Sequence, residues 1–587
     1  MLGGRTMCKL LKPSVEKSWL KYFSEEAREA SVPQNTIYRH LRENNENGRG
    51  DTALNYFGRK ISYGMLLDEV DKAAGAFAAA GIKKGDIVAA ATVTIPEMVY
   101  ALYGLNKIGA APLMIDPRTT ASGVCGFIKE TGAKIFIVID LYYEVLKDAL
   151  FESGVEKIVV ISADTSLPKS IRFLKQLKMP APKIATSDKV LTWPQFSATG
   201  VGVETETVEY GENDLAAITL TGGTTGAPKG VMLSNDGFNA IAFDFKHCGV
   251  SYKRGQRFMN IIPMFASYGI VSSLHMPLSL GLEVIIIPKF DAEKVGYYVK
   301  KYRPEHTLLV PAHYEKLMNS KEMAGGFDLS FFRTAGSGGD TMNAGLEAKL
   351  NSFLESRGCR YPLSQGYGMS EVSSAASCCC NGNFKSLSVG YPLLTTTIGI
   401  FEPGTDNELD YGEEGEICIS GPSIMLGYLN NKAETENVIR RHTDGALWVH
   451  SGDIGHMDSD GFVYIKGRIK RMITRFDGHK VFPTHVESVL GRHPSVISCA
   501  VVGVDDKDHA QGKLPVAFVE AKHTEQEKRF ALKAELLDMC RREIESRALP
   551  DDVIFVDAMP HMGMGKIDYN KLADDYNSTN KNETEAV

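Results

Sequence analysis

The feature that most restricts the fold of this chain is a repeated alternation of helical segments with short β-rich runs. Between residues 35 and 200, helical periodicity at 66–80 is followed by a β-rich run at 87–91 and by a second helical pattern at 98–108. Alternation of this kind predicts parallel strands in a sheet that carries helices on its faces. The rhythm resumes after Asp214, with a strand predicted at 216–220, a helix at 238–247 and a strand at 283–287. We therefore expect two α/β units.

The remainder of the chain shows a different pattern of predicted secondary structure. Residues 388–464 contain short β-rich runs separated by turn signals such as Pro403-Gly404 and Asp460-Gly461, which predict a small β-rich subdomain. Beyond residue 470, strands predicted at 498–504 and 516–520 neighbour helical patterns at 484–491 and 531–545. A chain of 587 residues exceeds what one hydrophobic core usually organises. We predict an N-terminal extension (1–34), a large domain of two α/β subdomains plus the β-rich subdomain (35–469), a small α+β C-terminal domain (470–576) and a frayed tail (577–587).

Composition limits the partners of the chain. The formal net charge is -7, and no basic stripe with interleaved aromatic residues occurs, which argues against a nucleic acid partner. The longest strongly apolar runs, such as 284–288, are only long enough for strands, and the first residues lack the apolar segment of a signal peptide. We expect a soluble cytoplasmic protein with no integral membrane segment, and contact with a membrane surface stays open.

The ten cysteines predict reduced thiols. They include no CxxC pair and no histidine at zinc-like spacing. The run Cys378, Cys379 and Cys380 is not expected to bind a metal, because adjacent residues cannot easily turn three sulfur atoms onto one ion.

The segment TGGTTGAPKG, from Thr221 to Gly230, follows the strand predicted at 216–220. Its glycines allow the backbone to approach a polyphosphate, its hydroxyls and amides can donate to phosphate oxygens, and Lys229 adds positive charge. The spacing is not that of a Walker loop, because Lys229 is followed by Gly230. Taken alone, the segment fits a phosphate-binding loop or a surface turn rich in glycine and threonine.

This segment resembles the phosphate-binding signature of the adenylate-forming (AMP-binding) superfamily, which includes acyl-CoA synthetases, adenylation domains and luciferases. A second segment, QGYGMSE at 365–371, resembles the family's adenine and magnesium motif. The resemblance implies that Tyr367 stacks on adenine, Ser370 approaches the phosphate and Glu371 holds Mg2+. A carboxylate oxygen is a ligand that Mg2+ prefers while it bridges ATP phosphates. SGGD at 337–340 falls where the family contacts adenine through its backbone, although Asp340 departs from the usual small and proline residues.

Three further segments follow in the family's order. HSGDIG at 450–455 implies that Asp453 binds both ribose hydroxyls, and a paired acceptor suits a diol. GRIK at 467–470 implies a nucleotide contact by Arg468 and a hinge at Lys470, which makes the small C-terminal domain mobile. MPHMGMGKID at 559–568 implies that Lys566 completes adenylation. The resemblance extends from about residue 35 to 575.

The site residues implied by this resemblance form one set. ATP or AMP is expected to contact Thr221, Gly222, Gly223, Thr224, Thr225, Gly226, Lys229, Gly338, Gly339, Asp340, Gln365, Gly366, Tyr367, Gly368, Met369, Ser370, Asp453, Arg468 and Lys566. Lys566, Glu371, Thr225 and Lys229 are the expected catalytic residues, and Glu371 is the expected metal ligand.

The resemblance implies a reaction in two halves that uses ATP, Mg2+ and coenzyme A. A substrate carboxylate attacks the α-phosphate of ATP, and a thiol then attacks the resulting acyl-adenylate. Between the two, the C-terminal domain is expected to rotate about Lys470, so that Lys566 leaves and the loop containing Gly478, His479 and Lys480 enters on the CoA side. Many relatives carry a lysine four residues after the hinge, where this chain has Thr474.

The acceptor and the acid are less constrained. We expect coenzyme A as the acceptor, because the chain ends shortly after Lys566 without an appended carrier domain. The alternatives are an enzyme that loads a separate carrier protein, and a catalytically silent nucleotide-binding regulator, against which Lys566, Asp453 and Glu371 argue. The oligomeric state is open, with a homodimer as one option.

The acyl pocket is expected beside IPMFASYG at 262–269, at Phe265, Ala266, Ser267 and Tyr268. Ala266 stands where the family often carries histidine or a bulky aromatic residue. This small residue suggests a roomier pocket for a fatty, aromatic or other bulky acid. The absence of a paired Asp and Lys makes an α-amino acid less expected.

Overall fold

The computed structural model describes residues 12–178, 182–221, 228–340, 342–506, 508–509, 511–522, 525–560 and 567–584. Of the predicted site residues, Gly222, Gly223, Thr224, Thr225, Gly226 and Lys566 lie outside the described residues.

Within the described residues, the strands form five sheets. In chain order they are β1 (Thr52–Tyr56), β2 (Arg59–Ser62), β3 (Ile87–Ala91), β4 (Ala111–Ile115), β5 (Ile135–Ile139), β6 (Lys157–Ile161), β7 (Val190–Thr192), β8 (Leu215–Thr221), β9 (Lys229–Ser234), β10 (Arg257–Asn260), β11 (Glu283–Ile286), β12 (His306–Leu309), β13 (Thr334–Ser337), β14 (Ser364–Tyr367), β15 (Ser377–Cys378), β16 (Tyr391–Pro392), β17 (Thr397–Phe401), β18 (Gly415–Ser420), β19 (Gly427–Tyr428), β20 (Ile439–Arg441), β21 (Leu447–Met457), β22 (Val463–Arg468), β23 (Ile473–Thr474), β24 (Lys480–Val481), β25 (Val496–Asp505), β26 (Lys513–Ala521) and β27 (Asp552–Val556).

The helices occur before, between and after these strands. They are α1 (Pro13–Glu16), α2 (Glu25–Glu29), α3 (Ile37–Asn45), α4 (Tyr63–Ala79), α5 (Pro96–Lys107), α6 (Ala121–Thr131), α7 (Asp140–Glu152), α8 (Lys169–Lys178), α9 (Trp193–Ala198), α10 (Asn235–His247), α11 (Met276–Ser279), α12 (Val295–Tyr302), α13 (Pro311–Met318), α14 (Lys321–Ala324), α15 (Ala344–Ser356), α16 (Lys432–Val438), α17 (Pro483–Leu490), α18 (Gln526–Glu543) and α19 (Tyr569–Thr584). A π-helical segment, Tyr268–His275, precedes α11.

Two large sheets form the centre of the molecule, which confirms the predicted α/β fold class. One has the strand order β19-β9-β8-β4-β3-β5-β6-β7 and the other β16-β15-β14-β13-β12-β10-β11-β1-β2. Strand β5 is apolar and buried along its whole length, as expected where helices cover both faces of a parallel sheet. The predicted strand 216–220 lies within β8, which forms an antiparallel hairpin with β9.

The predicted β-rich subdomain is a five-stranded sheet in which β17, β18, β21 and β20 are neighbours and β22 pairs with β21. The described part of the predicted N-terminal extension packs on it. Trp19 and Phe23 are buried, and Lys17 Nζ donates to Thr397 Oγ1 of β17 at 2.9 Å. Two lysines reinforce the contact, since Lys21 pairs with Asp460 at 2.6 Å and Lys12 with Asp410 at 2.7 Å.

The small C-terminal domain has the three-stranded sheet β25-β26-β27. Helices α17 and α18 cover one face of this sheet and contribute Val486, Leu490 and Leu536 to the core. Helix α19 continues to Thr584, so residues 577–584 of the segment predicted to be frayed are helical. None of the helices described is both long enough and apolar enough to cross a membrane.

Candidate active site

Lys229 lies at the start of β9, directly across the hairpin from Thr221. Its ammonium group forms a short ion pair with Glu434 on α16 and lies 5.0 Å from the centre of the Tyr428 ring. The hydrogen bond from Lys229 lowers the pKa of Glu434. The cation that the sequence assigns to phosphate is therefore held by a carboxylate from a distant part of the chain.

Glu371 lies in a short 3-10 turn, Ser370–Val372, just beyond β14. Its side chain is buried, and Oε1 accepts a hydrogen bond of 2.7 Å from the hydroxyl of Tyr428. Burial, followed by the nearby Glu371 charge, raises the pKa of Tyr428, so the phenol stays a donor. Because Tyr428 contacts both Glu371 and Lys229, these residues and Glu434 are called the Lys229 cluster below.

The glycines of QGYGMSE are required by close packing of the backbone. A Cβ atom on Gly368 would collide with the carbonyl oxygen of Ser374, and one on Gly366 would lie 3.2 Å from the carbonyl oxygen of Ser377. Ser373 and Ser374 adopt positive φ angles of 56° and 118°, which turn the chain back after Glu371. The tight turn fixes Glu371 beside the end of β14.

Asp453 and Arg468 are cross-strand partners in the pairing of β21 with β22. Arg468 Nε lies 2.9 Å from Asp453 Oδ1, and the hydroxyl of Tyr367 donates to Asp453 Oδ2 at 2.7 Å. Burial raises the pKa of Asp453, against the opposing effects of Arg468 and Tyr367. Tyr367, Asp453 and Arg468 are called the Asp453 cluster. Each was predicted from a separate motif, and the structure brings the three together.

A second row of buried polar groups supports Asp453. Glu416 Oε2 lies 2.9 Å from His450 Nδ1, and Glu416 Oε1 accepts from the backbone N–H of Gly452 at 3.0 Å. Burial raises the pKa of Glu416, but the hydrogen bond and charge of His450 and the N–H of Gly452 outweigh it, so this pKa is lowered. Ser451 Oγ accepts from the N–H of Asp453 at 3.0 Å. The part of β21 that carries Asp453 is thus held by hydrogen bonds to neighbouring groups.

The predicted acyl segment meets the SGGD segment. Tyr268 begins the π-helical stretch, and a Cβ atom on Gly338 or Gly339 would lie within 4.0 Å of its ring or hydroxyl. Ser267 Oγ donates to Ser370 Oγ at 3.0 Å, which links this segment to QGYGMSE. Phe265 is buried and Ala266 is partly exposed.

Two predicted nucleotide residues make other contacts. The side-chain amide of Gln365 donates to the buried Glu347, which also accepts from the N–H of Leu387 at 3.1 Å. The side chain of Gln365 therefore belongs to a structural hydrogen-bond network. Asp340 lies close enough to Glu487 of α17 for its charge to raise the pKa of Glu487, after the larger effect of burial. Met369 directly precedes the 3-10 turn.

The predicted hinge and CoA-side loop follow β22. Lys470 lies in a 3-10 turn, Ile469–Arg471. Strands β23 and β24 then form a hairpin that places Lys480 directly opposite Thr474. Gly478 has a φ of +80° in the turn between them, and the N–H of Arg475 donates to the carbonyl oxygen of His479 at 2.9 Å. A lysine is therefore adjacent to Thr474, although it comes from the neighbouring strand.

The described cysteines are free thiols. Cys378 and Cys380 interact with one another, while Cys379 Sγ points towards the carbonyl oxygen of Ser388. The three sulfur atoms thus do not share one direction.

Sequence analysis missed Tyr428, Glu434, Glu416 and His450 as partners of the site. His450 begins the HSGDIG segment, whereas Glu434 lies on α16 outside the predicted motifs, and only the folded chain shows which residues they contact.

Comparison with known proteins gives two family matches. The AMP-binding enzyme family matches residues 41–429, and the AMP-binding enzyme C-terminal domain matches residues 485–566. The first match includes Lys229, Glu371 and Tyr428, and the second includes the three-stranded sheet of the C-terminal domain.

Similar proteins match this chain over most of its length. A long-chain-fatty-acid–CoA ligase of Bacillus subtilis is 28% identical over 564 residues, which cover 94% of this chain and 97% of that protein. A 4-coumarate–CoA ligase of Vanilla planifolia is 30% identical over 497 residues, covering 83% of each. The crystal structure of the anthranilate CoA ligase AuaEII in complex with anthranoyl-AMP superposes with a TM-score of 0.79 at 21% identity, covering 94% of this chain and 99% of that one.

Proposed function

We infer the chemistry of this chain from the family to which it belongs, the AMP-binding enzymes. The chain is an AMP-forming acid–CoA ligase. A carboxylate oxygen of the acid attacks the α-phosphorus of ATP, and pyrophosphate leaves with the bonding electron pair, giving an acyl-adenylate. The sulfur of coenzyme A then attacks the acyl carbon, the thiol proton is released, and AMP leaves. The observation that carries the nucleotide half of this reaction is the buried, fully paired carboxylate of the Asp453 cluster.

We propose that Asp453 accepts hydrogen bonds from both ribose hydroxyls. Support comes from the way its carboxylate is held, with one oxygen beside Arg468 and the other beside the hydroxyl of Tyr367. A carboxylate has about four lone-pair sites, so both oxygens keep acceptor capacity for a diol. A preformed acceptor loses little conformational entropy when the nucleotide binds.

For Mg2+, the residues present fit the ion. Glu371 offers a buried carboxylate whose Oε1 is fixed by Tyr428, and oxygen donors are what this hard cation prefers. Mg2+ held by Glu371 would supply positive charge at the phosphate oxygens. Lys229 would supply a second positive charge once its ion pair with Glu434 opens.

We propose that Lys566 neutralises charge in the adenylation half only. Lys566→Ala is expected to abolish acid-dependent exchange of pyrophosphate into ATP while thioester formation from a supplied acyl-adenylate continues. A matched control is Lys571→Ala, an exposed lysine of α19 that pairs with Asp575. An equal loss in both halves would show that the role assigned to Lys566 is wrong.

We propose a fatty or aromatic acid as the substrate. The relatives above are named for a long-chain fatty acid and for 4-coumarate, and the acyl segment combines the buried Phe265 with the small Ala266. A panel of fatty, aryl and short polar acids, assayed for pyrophosphate release with and without coenzyme A, tests this. Preference for short polar acids would overturn it, and turnover only with a pantetheinylated carrier protein would overturn the choice of coenzyme A. We place this activity in the cytoplasm.

A further inference from the structure

Helix α8 presents its apolar side to solvent. Phe173, Leu174 and Leu177 are 62%, 59% and 69% exposed. At 3.6 residues per turn these three side chains share one side of the helix. A surface helix normally buries such a face, so a cluster of large exposed apolar side chains marks an interaction surface.

The opposite side of α8 is attached to the protein. The guanidinium of Arg172 donates to the carbonyl oxygen of Thr165, and Lys175 forms a short ion pair with Asp164. Asp164 is buried and Arg172 is partly buried. Because Arg172 and Lys175 lie about 150° around the helix from the centre of the apolar face, these contacts hold that face outward.

The charge around this face is positive. Helix α8 contains no aspartate or glutamate, and besides Arg172 and Lys175, which face the protein, it carries Lys169 and Lys178. Lys169 and Lys178, at the two ends of the helix, are exposed. Long basic side chains beside apolar ones can reach the headgroups of anionic lipids while the apolar groups enter the boundary of the acyl chains.

We propose that α8 docks the protein onto the surface of an anionic lipid bilayer. The helix is about 15 Å long, which is half of what is needed to span the hydrocarbon core, so it lies in the interface. A two-fold contact between two copies through this face would set like charges against one another, which disfavours self-association. The proposal does not depend on which acid is activated.

Vesicle sedimentation tests the proposal. The full chain is mixed with vesicles of phosphatidylcholine and phosphatidylglycerol in equal parts, and with vesicles of phosphatidylcholine alone. Binding is expected to the anionic vesicles, to weaken with added salt, and to be at least about tenfold weaker with pure phosphatidylcholine. Failure to sediment with the anionic vesicles would overturn the proposal.

Matched variants assign the binding to α8. Phe173→Glu is expected to weaken binding about tenfold, whereas Phe530→Glu, at a 78% exposed phenylalanine of α18, leaves it unchanged. Lys169→Glu with Lys178→Glu should act like Phe173→Glu, and Lys528→Glu with Lys571→Glu should not. Unfolding temperatures identify any variant that fails to fold. If Phe173→Glu does not fold, Leu177→Gln is used in its place.

Two outcomes would contradict the proposal even if the protein binds vesicles. Equal loss in the α8 variants and their controls would show that another surface binds lipid. A wild-type dimer, measured by light scattering, that Phe173→Glu converts to monomer would show that the face serves self-association. Capture of an acidic protein with no binding to vesicles would likewise replace the lipid by a protein partner.

Discussion

The Asp453 cluster and the Lys229 cluster hold their charged groups in different ways. Asp453 is buried, and its partners, Arg468 and Tyr367, are groups that can stay in place when a diol arrives. Lys229 is paired with Glu434, an anion that would compete with the proposed phosphate for the same ammonium group. On the proposed roles, the first cluster is organised before the nucleotide binds, whereas the second has to exchange an ion pair.

The two clusters also differ in how much solvent reaches their charged groups. The side chains of Lys229 and Glu434 are 28% and 30% exposed, so water and salt screen their attraction, and breaking the pair costs little. Asp453 is 3% exposed, and an unpaired charge there would be costly. Substitutions should therefore have large effects in the Asp453 cluster and small effects in the Lys229–Glu434 pair.

The largest effect is expected for Asp453→Asn. The amide keeps the shape but loses the charge that pairs with Arg468 and one acceptor for the ribose, so kcat/KM for ATP should fall about 100-fold. Steady-state kinetics at saturating acid measure this. Glu414→Gln, at an exposed residue paired with Lys466, is the control. A decrease in kcat/KM of less than about threefold for Asp453→Asn would contradict the comparison, because the loss of a preorganised acceptor for the ribose should impair the use of ATP.

Asp244 is a buried carboxylate that lies outside both clusters. It accepts from the N–H and hydroxyl of Thr395, both at 2.9 Å, and burial raises its pKa to about 7. Between the ordinary value near 4 and about 7, the folded state keeps a proton that the unfolded state has lost. The free energy of unfolding therefore falls as pH rises through this window and is level above it.

Asp244→Asn should remove that slope. Between pH 5 and pH 8, the free energy of unfolding of the variant is expected to rise by about 2 kcal/mol relative to that of the wild type. Denaturant unfolding of both proteins at the two pH values measures the difference. Parallel curves would mean that Asp244 is ionised in the folded state throughout, and that its partners offset the effect of burial as they do at Glu416.

Tyr428→Phe tests the link between Glu371 and Lys229. It removes the hydroxyl that donates to Glu371 but keeps the ring beside Lys229, so kcat/KM for ATP should fall about tenfold. Titration with Mg2+ should show a weaker apparent affinity, because the buried carboxylate has lost its fixed donor. An unchanged Mg2+ dependence would separate Tyr428 from the metal.

The smallest effect, in the opposite direction, is expected for Glu434→Gln. Removing the competing anion frees Lys229, so KM for ATP should decrease about threefold with little change in kcat. Glu436→Gln, at an exposed residue of the same helix, is the control. A higher KM would show that Glu434 orients Lys229 for phosphate instead of competing with it.

The elements that could be predicted from sequence are those with local signals. The periodicities at 66–80 and 87–91 became α4 (Tyr63–Ala79) and β3 (Ile87–Ala91), because both are amphipathic or apolar over their full length. The π-helical turns of Tyr268–His275 were not foreseen, since they depend on packing and not on sequence periodicity.

The residues of the site likewise include some that carry local sequence signals and some that do not. Asp453 and Arg468 carry motifs, but their pairing follows from the register of β21 against β22, which contains an irregularity between Ile454 and Gly455. Tyr428 and Glu434 lie 57 and 205 residues along the chain from the partners they bind, Glu371 and Lys229. No local pattern encodes contacts at such separations. The catalytic and nucleotide-binding roles of the site residues, including Thr224, Thr225 and Lys566, remain predictions.

The most direct test of the central claim uses an acid labelled with 18O in its carboxylate. The labelled acid, the best substrate from the panel, is incubated with ATP, Mg2+ and coenzyme A, and the products are examined by 31P NMR and mass spectrometry. Attack on the α-phosphorus predicts one 18O atom in AMP, with unlabelled pyrophosphate. Label in inorganic phosphate together with ADP would contradict the account, because the acid would then have attacked the γ-phosphorus.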